Sequence, residues 1–152
     1  MSIWWSLHLR REAASVPLAR RLLLGAMETA GVDPDISYDL SVALSEACAN
    51  AVEHGGDAVS GSASAAYRVT AYLDGEKCRI EVADSGPGFP ARRIQRTAVP
   101  ARTGCLPEHG RGLGLIEQLA DHVHFRNRPG RGAVVSFDKI LKWREDALLK
   151  VS

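Results

Sequence analysis

The stretch Leu44-Ser-Glu-Ala-Cys-Ala-Asn-Ala-Val-Glu-His54 sets Glu46 and Asn50 one helical turn apart. Working outward, Ile36, Leu40, Leu44, Ala47 and Ala51 fall into one apolar stripe when about 100° separates successive residues. Asp39, Glu46, Asn50 and Glu53 form a band beside that stripe. The spacing predicts a helix from Asp35 to Glu53, with a carboxylate and an amide bordering the core.

The flanking sequence alternates strand and helix patterns. Upstream, Ile3, Trp5, Leu7 and Leu9 share one face of a predicted first strand. Ser15 and Pro17 suit a helix N-cap region, and Leu18 to Ala30 reads as a helix with apolar Leu22, Leu23, Ala26 and Ala30, stopped by Gly31, with Arg20 and Arg21 on its outer side. Downstream, Gly55 to Ala65 reads as a loop. Val69, Ala71 and Leu73, a turn at Asp74-Gly75, then Cys78, Ile80 and Val82 describe a hairpin ending at Asp84. From Ser85 to Gly112 the pattern dissolves into prolines, glycines and arginines, far longer than the usual loop of about four to six residues and in keeping with a functional lid. Leu113 to Ala120 resumes helical spacing, and Val123–Arg126 with Ala133–Phe137 flank Arg128-Pro-Gly-Arg-Gly132 as a second hairpin. Asp138 to Val151 reads as a last helix carrying Ile140, Leu141, Leu148 and Val151.

Composition narrows the function classes. The chain has 152 residues, the size of one domain with one core. Its 19 basic and 18 acidic residues give a net charge of +1, so no general field draws it to nucleic acid or to an anionic membrane. Arg20 and Arg21 interrupt the apolar run from Val16 to Met27, and the N-terminus lacks the order of a signal peptide, so a cytoplasmic protein is expected. Cys48, Cys78 and Cys105 are scattered and form no Cys-x-x-Cys pair, which argues against a disulfide framework or zinc site; two buried small residues and one loop thiol are expected.

Two glycine elements add chemistry. In Asp84-Ser-Gly-Pro-Gly88, Gly86 and Gly88 let the backbone turn tightly and a flat ring approach, while Asp84 offers an acceptor for an exocyclic amino group, which suits adenine. In Gly110-Arg-Gly-Leu-Gly114, exposed N–H groups ahead of a helix suit a polyphosphate. Asn50 offers a neutral oxygen of the kind Mg²⁺ accepts alongside phosphates and waters. Taken singly these are weak signals: Gly-Pro-Gly is an ordinary turn, an Asp at a strand end commonly solvates a loop, and the second run is neither a P-loop nor a dinucleotide fingerprint.

Their order is more specific. Glu46-x-x-x-Asn50-Ala-x-x-His54, Asp84-x-Gly86-x-Gly88 and Gly110-Arg-Gly-Leu-Gly-Leu115 resemble the three nucleotide-binding boxes of the GHKL ATPase superfamily. The Leu-Ser-Glu-Ala-Cys-x-Asn-Ala phrasing resembles its bacterial anti-sigma-factor serine kinase branch, and the similarity spans roughly Trp5 to Lys139. The implied architecture is a single two-layer α/β sandwich over residues 1–152 (the Bergerat fold), with helices on one face of a mixed, mostly antiparallel sheet.

By that resemblance Asp84 would bind the adenine amino group, Gly86 and Gly88 would permit close approach, and Asn50 would coordinate Mg²⁺. Gly110, Arg111, Gly112, Leu113 and Gly114 would hold the ATP phosphates beneath a lid from Phe89 to His109. Glu46 matches the family's proposed general base, and Arg111 would offset developing charge. The implied partners are a sigma factor and a STAS-fold anti-anti-sigma protein whose serine accepts the phosphoryl group; members of the branch commonly form homodimers, to which the alternating face of Ile3 to Leu9 would contribute.

Plainer readings stand beside these. A Glu on a helix is commonly solvated, His54 suits capping or packing better than metal binding, and His109 suits a simple loop. Arg92, Arg93, Arg96 and Arg102 fit a solvated lid face as well as a phosphate or an acidic partner. Trp4, Trp5 and Trp143 fit core or dimer anchors better than a stacking platform, since no basic patch interleaves them. Two function classes follow: an anti-sigma kinase, or a non-catalytic ATP-binding regulator acting through partner binding. Only the first requires Glu46 to face the γ-phosphate. A sensor histidine kinase domain is a more distant third, because no helical segment with a phosphoacceptor histidine precedes the boxes.

Overall fold

The computed structural model describes residues 2–54, 66–84, 113–128 and 132–145. Its elements run β1 (Ile3–Arg10), α1 (Ser15–Ala30), α2 (Pro34–His54), β2 (Ala66–Leu73), β3 (Lys77–Ala83), α3 (Leu113–Leu119), β4 (His122–Arg128) and β5 (Gly132–Ile140). The strands form one sheet in the order β1-β2-β3-β5-β4, and all four pairings are antiparallel. The expected two-layer α/β sandwich is therefore present, with a sheet that among the described strands is wholly antiparallel.

Register fixes which residues face the helices. Ile3, Trp5, Leu7 and Leu9 pair with Leu73, Ala71, Val69 and Tyr67, and Leu73, Ala71 and Val69 pair in turn with Cys78, Ile80 and Val82. Ile80 and Val82 then lie beside Phe137 and Val135, whose partners on β4 are Val123 and Phe125. This face packs under Ala19, Leu23 and Met27 of α1 and Leu40, Ala43, Leu44, Ala47 and Ala51 of α2. The alanines of α2 let its axis lie close to its neighbours. On the other face Trp4 is 65 % exposed and Tyr72 37 % exposed.

Local chemistry explains the helix bounds. Gly31 adopts φ 94°, donating its N–H to Met27 and Glu28 carbonyls, and Val32 N–H also reaches the Met27 carbonyl at 3.0 Å, a Schellman stop. Asp33 then caps α2: its carboxylate accepts the Asp35 N–H at 2.8 Å, and Pro34 opens the helix. At the β2–β3 turn, the Asp74 carboxylate accepts N–H groups from Glu76 at 2.7 Å and Lys77 at 2.9 Å. Slight burial raises the Asp74 carboxyl, but these two bonds and the Lys77 charge outweigh it and hold it below the ordinary carboxylate range.

Three expectations need correction. α1 starts at Ser15, a turn before Leu18, with Ala14 at the N-cap and no side-chain cap; the Ser15 hydroxyl instead donates to the Glu12 carbonyl at 2.8 Å. Leu22 is 44 % exposed, and Ala19 and Met27 take the buried positions. No helix begins at Asp138: Asp138, Lys139 and Ile140 complete β5, and the following chain turns back across the α1–α2 connection, where Trp143 bridges Val32 and Lys142 accepts the Asp33 N–H at 2.8 Å. Backbone partners supplied by distant segments override the local helical pattern there. Residues from 146 onward lie outside the described residues, as do the expected loop at 55–65 and lid at 89–109.

Candidate nucleotide site

α2 positions two of the predicted residues. Its apolar stripe is buried as expected, and that rotation leaves Asp39, Glu46 and Asn50 half-buried at the border, while Glu53 is exposed. Ser41 and Ser45 return their hydroxyls to the Tyr38 and Ser41 carbonyls at 2.7 and 2.8 Å, so these two hydroxyls are satisfied within the helix.

The third residue stands at the end of a central strand. Asp84 is 6 % exposed, its backbone N–H donates to the Ala133 carbonyl at 2.9 Å, and its Oδ1 accepts the Ala133 N–H at 3.3 Å. β5 thereby holds the carboxylate at the end of β3. α2 packs against β3, which runs into Asp84, and against α3, which opens at Leu113 and buries Gly114 in its first turn. Three segments distant in sequence are thus neighbours through one helix. Gly86, Gly88, Gly110, Arg111 and Gly112 lie outside the described residues.

The donor set fits a magnesium ion carried with a nucleotide. Mg²⁺ keeps several waters and needs few protein oxygens when phosphates supply the rest. Asn50 provides one such neutral oxygen at the border of α2, and no group of three His, Cys, Asp or Glu capable of a protein cage occurs among the described residues.

Several supporting residues were not apparent from the sequence. Arg11 donates from Nε and Nη2 to the Val52 carbonyl at 3.2 and 3.0 Å, at the last turn of α2. Ala133 is the partner of Asp84, a long-range pairing that only the sheet order reveals. Cys48, between Glu46 and Asn50, is buried and hydrogen-bonded to Tyr67; burial pushes its thiol up to about 12, with the Tyr67 bond opposing in part. Cys78 is likewise buried and its thiol raised, by burial first and by Asp138 and Asp74 second. Both match the inert structural cysteines expected; Cys105 lies outside the described residues.

Comparison with known proteins places the fold in a family. Residues 9–139 match the family model described as the histidine kinase-like ATPase domain. The serine-protein kinase RsbW of Bacillus licheniformis is 34% identical over 130 residues, covering 83% of this chain and 78% of that protein. The anti-sigma F factor of a Thermoanaerobacter species is 30% identical over 116 residues, covering 74% of this chain and 77% of that protein. The structure of the RsbU and RsbW domains of Rv1364c from Mycobacterium tuberculosis superposes with a TM-score of 0.63 at 20% identity, covering 91% of this chain and 33% of that longer one. A structure of the SiaB-SiaC complex from Pseudomonas aeruginosa gives a TM-score of 0.59 at 14% identity, covering 90% of this chain and 89% of that one; at these identities the two structures speak for the fold. A sequence match over most of its length, together with a helix-on-sheet core around Glu46, Asn50 and Asp84, makes this chain a member of the histidine kinase-like ATPase domain family.

Proposed function

We propose that this protein is an anti-sigma factor and ATP-dependent protein-serine kinase that phosphorylates a STAS-fold anti-anti-sigma protein, and so controls how much sigma factor is free. The observation that carries it is the packing of α2 against both β3 and α3, with a carboxylate and an amide half-buried one turn apart on α2 and the buried Asp84 closing β3. The names of the serine-kinase and anti-sigma relatives support the reaction class and the partners.

Asp84 accepts the adenine amino group from its fixed position on the sheet. Gly86 and Gly88 allow the ring to approach, and Gly110, Arg111, Gly112, Leu113 and Gly114 hold the phosphates by backbone N–H groups and the Arg111 charge. Asn50 would hold Mg²⁺, which when bound would offset phosphate charge. Glu46 accepts the proton of the incoming serine hydroxyl as its oxygen attacks the γ-phosphorus and ADP leaves. Segment 89–109 acts as the lid. The protein works in the cytoplasm as a homodimer, and its partners are proteins and not nucleic acid or membrane.

Transfer of the γ-phosphate of labelled ATP to purified STAS-fold proteins tests this, together with capture of sigma factors with and without ATP. Serine phosphorylation and ATP-dependent exchange of partners are expected. ATP binding and sigma-factor capture with no transfer to any acceptor would assign the chain to the non-catalytic regulators instead.

A further inference from the structure

The helix that carries Glu46 and Asn50 is gripped from outside itself at two points: by Arg11 in the short connection between β1 and α1, and by Tyr67 of β2, whose hydroxyl is tied to Ser15 at the start of α1. At the first, the Arg11 guanidinium donates two hydrogen bonds, at 3.2 and 3.0 Å, to the Val52 carbonyl. α2 ends at His54, so this carbonyl belongs to the last turn, where intrahelical donors are missing and the helix dipole is negative. A cationic fork placed there fixes how far α2 extends along its axis.

At the second, a directional chain of hydrogen bonds runs through the core. Ser15 spends its hydroxyl proton on the Glu12 carbonyl at 2.8 Å. Its 2.6 Å contact with the Tyr67 hydroxyl must then be made by the tyrosine proton. The Tyr67 hydroxyl also pairs with the Cys48 thiol, and both side chains are buried in the same core cluster. Cys48 sits midway between Glu46 and Asn50 on the same helix, so holding Cys48 inward against Tyr67 fixes the rotation of α2 about its axis.

We propose that Arg11 and Tyr67 are positioning residues for nucleotide chemistry: Arg11 sets the axial register of α2 and Tyr67 its rotation, and together they place Asn50 and Glu46 against the magnesium-bound phosphates. This rests on the assignment of those two α2 residues to the site. In this role Arg11 and Tyr67 act through α2 and not by contact with the nucleotide. A displacement of about 1 Å of a reacting or ligating group is enough to lower rates by about a hundredfold, so a brace of this kind has large leverage.

Calorimetric titration of the full chain with ATP, in Mg²⁺ and in a chelator, separates this role from simple stability. In Arg11→Gln and Tyr67→Phe the metal-free affinity, which depends on Asp84, should stay within about twofold of the parent, while the gain in affinity brought by Mg²⁺ shrinks about tenfold and half-saturating Mg²⁺ rises. Arg11→Lys, which keeps the charge but not the fork, should fall between. Thermal melts establish folding, and if Arg11→Gln does not fold, Arg11→Lys and Tyr67→Phe carry the comparison. Folded variants with the parent's Mg²⁺ dependence, beside an Asn50→Ala control that has lost it, overturn the positioning role and leave the site intact. Unchanged Mg²⁺ dependence in Asn50→Ala overturns the site assignment and this proposal together.

Discussion

Asp84 and Ala133 hold each other through a reciprocal pair of hydrogen bonds, backbone N–H to carbonyl at 2.9 Å and backbone N–H to carboxylate at 3.3 Å. The acceptor proposed to read adenine is therefore anchored to β5. Asp84→Asn keeps an oxygen for Ala133 but turns an amide donor toward the adenine amino group. ATP affinity should fall about 10- to 100-fold, the equivalent of a charge-assisted hydrogen bond of about 1.5–3 kcal/mol, with little change in melting temperature. Titration calorimetry beside a thermal melt measures both, and an affinity equal to the parent's would exclude Asp84 as the adenine acceptor.

Glu46 and Asn50 share a helix but not a role. Asn50→Ala should abolish Mg²⁺-dependent ATP binding. Glu46→Ala should bind Mg-ATP normally and lose transfer by about 10²- to 10⁴-fold, the usual worth of a general base. Single-turnover transfer to the acceptor protein separates the two; a Glu46→Ala enzyme with parental turnover removes that residue from the chemistry.

Trp5 packs against the core, and its indole Nε1 is buried without a hydrogen-bond partner among the described residues. An unpaired buried donor costs about 1–3 kcal/mol, which offsets much of the packing lost on shrinking the ring. Trp5→Phe should change stability by less than about 1 kcal/mol, whereas Trp5→Ala should cost about 3–5 kcal/mol. Urea unfolding distinguishes them, and a Phe variant as unstable as the Ala variant would show that the indole nitrogen is satisfied in solution.

Gly31 closes α1 at φ 94°. A side chain there meets the left-handed penalty of about 1–2 kcal/mol, so Gly31→Ala should lower the unfolding free energy by that amount. Equal urea midpoints for the two proteins would mean that the backbone relaxes away from this geometry.

Cys48 is raised by burial from 9.0 to about 12, and Cys78 moves the same way. Above pH 9 the unfolded chain releases thiol protons that the folded chain retains, so stability is complete below about 9 and falls as pH climbs toward 12. The slope is about 1.4 kcal/mol per pH unit for each thiol in that window. Urea midpoints should be level at neutral pH and decline from about pH 9; Cys48→Ala should decline less steeply. A midpoint unchanged into the alkaline range contradicts burial of both thiols.

Much of this architecture is legible in the sequence where burial alone sets the pattern. The alternation of β1 and the stripe of α2 follow from one buried face apiece, and both expected faces are the ones that pack. Asp33-Pro34 and Gly31 mark helix ends by local chemistry, although the α2 start needed the Asp33 cap to be recognised. The expected C-terminal helix does not form over residues 138–145 because Trp143 and Lys142 find their partners in Val32 and Asp33, a pairing set by tertiary proximity and invisible to periodicity. Glu46, Asn50 and Asp84 could be picked out because their chemistry is unusual at a core border. Arg11 and Tyr67 could not, since an arginine after a strand and a tyrosine within one carry no signal until the α2 terminus and Cys48 are brought beside them.

The strand that runs into Asp84 and the helix that starts at Leu113 both lean on α2, so the connecting chain leaves and rejoins a single scaffold. Lengthening a tethered connection is thermodynamically gentle, about 0.6 kcal/mol for each doubling. Changes of length between the glycine elements at the two ends of this interval can therefore accumulate without unsettling the sheet, which makes it a natural place for related domains to diverge in tempo and client choice.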